Sequence, residues 1–243
     1  MIRWLFYKSP NFSLSVGGLI KRFFALFVLF VLLYQLWIFA HICWWIKYNP
    51  SSSSFMENRL EIIQETKPDA ELKHKWVNYA QISNNLKSAV IASEDAKFSD
   101  HDGFDWEGIE KAFDKNLKKG KIVAGGSTIS QQLAKNLFLS SRRTPWRKGE
   151  EAIITVMLEK MLTKQRILEI YLNVIEWGNG IFGAEAASRH YFKVSAANLN
   201  ASQAAKLAAM VPNPRFYDDH RNTKYLNRRM RNIQRGMPVV ELP

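Results

Sequence analysis

Three clusters in this sequence hold residue types able to do chemistry. The first runs Glu94-Asp95-Ala96-Lys97-Phe98-Ser99-Asp100-His101-Asp102-Gly103, and its leading carboxylate directly follows the apolar run Ala89-Val90-Ile91-Ala92. An acid at the edge of an apolar helix is a candidate general base, because partial burial strengthens a carboxylate's hold on a proton. A helix-terminal acid facing solvent is the plainer alternative. Asp100-His101-Asp102 also matches a short metal-ligand pattern, of a length that arises often by chance. The second cluster is Gly125-Gly126-Ser127-Thr128-Ile129-Ser130-Gln131-Gln132-Leu133-Ala134-Lys135-Asn136. The third is Arg142-Arg143-Thr144-Pro145-Trp146-Arg147-Lys148-Gly149-Glu150-Glu151.

The second cluster reads as a glycine turn leading into a helix that starts near Ser127, a hydroxyl residue suited to the N-cap. Thr128, Gln131, Gln132 and Lys135 then fall within an arc of about 100°. Ile129, Leu133 and Leu137 take the other side. Hydroxyl, amide and ammonium donors on one face suit an oxygen-rich anion; a solvated face of an ordinary amphipathic helix is the bland alternative. In the third cluster Arg147 and Glu151 stand four apart on a predicted helix, which alone means no more than a surface ion pair. With Lys135, these basic residues also form a plausible clamp on a pyrophosphate.

The elements that must position these groups are mostly helical. Leu86, Ala89 and Val90 lead into Glu94, and Asp105 can cap a helix holding Ile109, Ala112, Phe113 and Leu117. Further helices are predicted from about Arg147 to Leu162 and after Thr163, the latter carrying Ile167, Ile170, Tyr171 and Val174. Asn200 with Gln203 forms a capping-box pattern for a late helix that Pro212 stops. Gly178, Gly180 and Gly183 mark a tight loop. Asn49 to Ser54 reads as a polar linker, residues 55–80 carry little signal, and a short hairpin is the most β structure expected.

The chain has 243 residues, a net charge of +12 and one cysteine. A single cysteine excludes an internal disulfide, and the charge calls for anionic partners: a membrane surface, phosphate, pyrophosphate or nucleic acid. Residues 23–46 contain no charged side chain. As a helix they span about 36 Å, against about 30 Å of hydrocarbon. Trp44, Trp45 and Tyr48 would sit at the far interface, while Arg3, Lys8, Lys21 and Arg22 precede the run. The positive-inside bias puts the N-terminus in the cytoplasm and everything after about residue 48 outside. A cleaved signal peptide fits less well, since no small-x-small site ends the run.

In this order the clusters closely resemble the peptidoglycan glycosyltransferases of glycosyltransferase family 51. The E-D-x-x-F-x-x-H-x-G pattern is complete at Glu94, Asp95, Phe98, His101 and Gly103, and G-G-S-T-[IL]-[ST]-Q-Q-x-x-K-N is complete at Gly125 to Asn136. R-K-x-x-E is complete at Arg147, Lys148 and Glu151, and an I-L-E-x-Y-L-N pattern with its glycine loop matches Ile167 to Asn173 and Gly178 to Gly183. One departure is visible: Gln203 and Lys206 stand where the family's late helix usually has an acid and an apolar residue. The resemblance implies a mainly α, lysozyme-like bilobal domain over about residues 75–235, behind a basic tail (1–22), a transmembrane signal-anchor helix (23–46) and a lead-in (47–74). No S-x-x-K motif is present, so the monofunctional branch, without a transpeptidase, is the match.

The resemblance implies inverting transfer of a lipid-linked glycan to the 4-hydroxyl of lipid II, at the outer face of a bacterial inner membrane, with release of polyprenyl pyrophosphate. Glu94 would be the base and Glu151 a second catalytic acid, orienting the clamp or assisting the leaving group. Lys135, Arg143, Arg147 and Lys148 would hold pyrophosphate, while Ser127, Thr128, Gln131 and Gln132 would hold phosphate and sugar oxygens. Asp95, Phe98, His101 and Asn136 join the substrate-binding set by motif match. No metal-ligand set stands out, although the family allows a magnesium or manganese ion with the pyrophosphate. The expected partners are lipid II, the growing glycan strand and membrane lipid, with cell-division or elongation proteins allowed; the predicted topology opposes nucleic acid. The competing readings are a membrane-anchored lysozyme-like hydrolase and a non-catalytic wall-synthesis scaffold. A glycosidase needs two carboxylates across the scissile bond and no cation clamp, so the Lys/Arg cluster favours transfer.

Overall fold

The computed structural model describes residues 16–121, 125–140 and 144–243. Arg143, an expected clamp member, and the basic residues Arg3 and Lys8 lie outside the described residues. The chain separates into a unit ending at His41 and a compact unit Ile42–Pro243. Helix α1, Val16–Trp44, is long and apolar enough to cross a membrane, and very little of its apolar stretch is buried. It begins earlier than the uncharged run, taking Lys21 and Arg22 into its first turns.

The compact unit opens with α2, Ser54–Gln64. The polar stretch that reads as a linker ends in a helix cap, because the Ser53 side chain accepts the Met56 N–H at 3.3 Å. After β1 (Lys73–His74), α3 (Asn84–Glu94) starts from a Ser83 cap and α4 (Trp106–Lys119) from an Asp105 cap. Helix α5 (Ile129–Phe138) follows, then α6 (Pro145–Met161), with Thr144 as cap and Pro145 in the first turn, where its missing N–H is no loss. Thr163 caps α7, Lys164–Val174. Strands β2 (Glu176–Gly178) and β3 (Ile181–Phe182) form the expected hairpin, and β1 joins β3 in parallel with Lys73 opposite Ile181. Helices α8 (Ala184–Phe192), α9 (Ala201–Met210), α10 (Pro214–Asp219) and α11 (Lys224–Gly236) complete the unit. The Asn200–Gln203 capping box forms as the sequence pattern requires.

Two helix groups hold the core. In one, α9 packs on both α3 and α11. Its buried Ala204, Ala205, Ala208 and Ala209 present small side chains that let those helices come close. In the other, α5 packs on α2, α6 and α7 through Ile129, Leu133, Ile154, Leu158 and Ile167, all inaccessible to solvent. Asp95, directly after α3, ties the two groups together at the start of α5.

Candidate active site

Helix α3 ends at Glu94, and the next residue begins the joint between α3 and α5. One Asp95 oxygen accepts the Ile129 N–H at 2.9 Å, satisfying a donor that the first turn of α5 leaves open. The other faces His101 Nε2 at 2.9 Å, and His101 Nδ1 accepts the Gly103 N–H at 3.1 Å. With Nδ1 accepting, the ring proton sits on Nε2 and points at Asp95.

The cap of α5 is Thr128, one residue later than Ser127. Thr128 Oγ1 donates to the Gly103 carbonyl at 2.7 Å and accepts the Gln131 N–H at 3.2 Å, while Gln131 Oε1 accepts the Thr128 N–H at 3.1 Å. Gly103 sits at φ +91, where an added Cβ would also lie 2.8 Å from Thr155 Cγ2. At Gly126 a Cβ would lie 2.9 Å from the Ile109 Cα, so glycine lets this loop press against α4.

These contacts tie part of the expected substrate-binding set into the protein's own framework. Phe98 is inaccessible to solvent, and Asp95, Thr128, Gln131 and Asn136 are buried. Asp95, His101, Thr128 and the Gln131 side-chain oxygen are hydrogen-bonded within the protein and build the wall of the site. The polar arc on α5 contracts accordingly: its N-terminal half is a capping box, and Gln132 is what reaches the neighbouring carboxylate. The open cleft itself is lined by Ser93, Glu94, Asp105, Gly125, Gly126 and Ser127 among others.

Glu94 lies in this cleft with its side chain 11% exposed. Its Oε2 accepts from Gln132 Nε2 at 3.2 Å, and its Oε1 accepts from the Ser93 hydroxyl at 2.9 Å and from Arg229 Nη2 at 3.1 Å. Arg229 also donates to Ser93 Oγ at 2.8 Å. In the sequence Arg229 is one of several closely spaced arginines with Arg228, Arg231 and Arg235; the fold turns this one inward. Tyr171, read as part of an apolar helix face, sends its hydroxyl to Gln132 Oε1 at 2.8 Å. Burial, then the charges of Glu94 and Asp95, push the Tyr171 phenol well above its ordinary value, so it stays a neutral donor.

The cationic wall is built on α6. Glu151 is buried, and it accepts from Arg147 Nη1 at 2.9 Å and from Lys148 Nζ. The Arg147 side chain is itself 16% exposed, so this is no surface pair. Lys148 also reaches Ser127 Oγ at 3.5 Å, which brings the third cluster to the rim of the Glu94 cleft. Lys135 lies over the Phe55 ring of α2, 5.5 Å from its centre. It is three residues beyond Gln132 on the same helix, about 4.5 Å further along the axis. A further network escaped the sequence reading: Glu159 accepts from Ser130 and from Lys164 Nζ at 2.8 Å, and Lys164 also donates to the His101 carbonyl. It locks α5, α6 and α7 behind the site.

Among the described residues no group of three or more His, Cys, Asp or Glu side chains converges as a ligand set. In the Asp100-His101-Asp102 pattern, both His101 nitrogens are engaged within the protein.

Helices that deliver one oriented carboxylate and a flanking cation cluster to an open cleft suit transfer of a group from an anionic carrier. The transglycosylase family model matches residues 59–238. The biosynthetic peptidoglycan transglycosylase of Chromobacterium violaceum is 67% identical over 228 residues, covering 94% of this chain and all of the relative. That of Methylobacillus flagellatus is 63% identical over the same shares, and that of Laribacter hongkongensis is 65% identical over 90% of this chain and 96% of the relative. The chain belongs to the transglycosylase family.

Proposed function

We infer that this chain polymerises peptidoglycan glycan strands and that Glu94 is the base of the transfer. The acceptor's 4-hydroxyl oxygen attacks the anomeric carbon of a lipid-linked glycan donor. Its proton passes to Glu94 as the new C–O bond forms, and the old C–O bond breaks with its electrons leaving on polyprenyl pyrophosphate. Arg147 and Lys148, with Lys135 one helical turn beyond Gln132, supply positive charge for that leaving group. Glu151 holds Arg147 and Lys148 in place through one bond from each of its oxygens.

The observation that carries this reading is the Glu94 carboxylate, held by donors from three elements on a cleft whose rim bears Lys148. A hydrolase pairs two carboxylates across the scissile bond and needs no cation cluster, whereas Arg147 and Lys148 border this cleft. Glu94→Gln should lower lipid II polymerisation by about 10²–10⁴-fold with folding intact. Near-normal glycan synthesis by that variant would remove Glu94 from the base role.

The substrate's polyprenyl chain stays in the bilayer, so the site must work beside it. Helix α1 is the single-pass anchor. The basic residues before its apolar run favour a cytoplasmic N-terminus and a periplasmic catalytic unit, in the bacterial inner membrane. Helix α4 adds a lipid-seeking face: Trp106, Phe113 and Leu117 lie on one side of it, each at least 66% exposed.

A further inference from the structure

The structure assigns Tyr171, Gln132 and Arg229 to a clasp that orients Glu94 and leaves Oε2 as the oxygen that takes the proton. This rests on Glu94 being the base.

A carboxylate oxygen offers about two acceptor positions. Oε1 has both filled, by Arg229 Nη2 at 3.1 Å and by the Ser93 hydroxyl at 2.9 Å, the nearer of that hydroxyl's two acceptors, the Ala208 carbonyl lying at 3.3 Å. Among the described residues Oε2 has one donor, Gln132 Nε2 at 3.2 Å, and so keeps one position open. The carboxylate cannot rotate to exchange its oxygens without breaking all three bonds. Gln132 alone would not secure this, because an amide can flip and turn its own oxygen toward the carboxylate. Tyr171 prevents the flip. Its hydroxyl donates to Gln132 Oε1 at 2.8 Å, which fixes Nε2 toward Glu94. Tyr171 is inaccessible to solvent, so it acts through Gln132 and not on substrate. The clasp closes from two sides, with α5 and α7 supplying one arm and α11 the other.

The test uses the full chain with fluorescent lipid II, measuring kcat, KM and thermal unfolding. Tyr171→Phe and Arg229→Met should each lower kcat by about 10–100-fold, as small misplacements of a reacting group do, with KM within about threefold of wild type. Arg229→Lys, which keeps the charge and stem, should recover part of the loss and carries the test if Arg229→Met does not fold. In a Glu94→Gln background the same substitutions should cost less than about twofold more, because residues that act through one group are not additive. Losses that multiply in that background would place these residues on substrate and overturn the clasp. Unchanged kcat in a folded Tyr171→Phe or Arg229→Met enzyme would overturn it too. A near-normal rate for Glu94→Gln alone would instead sink the base assignment.

Discussion

Glu151 is occupied before any substrate arrives, with Arg147 on one oxygen and Lys148 on the other. Removing it leaves Arg147 poorly solvated and without its counter-charge, so Glu151→Ala should destabilise the fold by about 3–5 kcal/mol, read by urea unfolding. The sequence showed the spacing of this pair but not its burial, and burial is what separates a built site from a surface bridge. Arg229 shows the same limit from the other side. It stands among Arg228, Arg231 and Arg235, chemically alike in one dimension. Only the packing of α11 on α3 decides that this guanidinium meets Glu94. Glu94 stood out in the sequence as an acid closing an apolar run, and it ends α3 at the cleft.

At the scale of elements, caps were the most readable features: Asp105, Thr163 and Asn200 all start the helices their patterns announced. The start of α5 was read one residue early because Ser127 and Thr128 are both hydroxyl residues, and only Thr128 has glutamine at the third helical position. Helix α2 was missed because its serine cap resembles a linker. Thr128→Ala loses the cap and the bond to the Gly103 carbonyl, so it should cost about 1–2 kcal/mol by chemical denaturation. Phe113→Ser on α4 should weaken binding to anionic liposomes while leaving the unfolding midpoint nearly unchanged. Asp218 joins α10 to the β2–β3 turn. Burial raises its carboxyl's proton affinity, but the Asn179 N–H, the Tyr191 hydroxyl, His190 and Arg221 together hold it below the ordinary value. Its stabilising share is therefore full above the ordinary carboxylate range and is lost as pH falls through the lower folded value. The stability gap between wild type and Asp218→Asn should accordingly shrink on acidification.

For the whole molecule, the sequence announced an apolar anchor and a mainly helical body, and the structure divides into two such units. Deleting residues 1–41 should leave helical content of the body intact but reduce turnover of lipid II embedded in vesicles, where proximity to the bilayer sets the encounter rate. The same deletion should matter less in detergent. The clasp around Glu94 has a consequence for the order of assembly. One arm spans 38 residues and the other 135. Contacts between distant chain segments form late, because closing a long loop costs entropy before any contact repays it. A refolding chain that has already regained most of its helical circular dichroism should therefore still be idle, with catalysis returning in a slower phase as α11 docks.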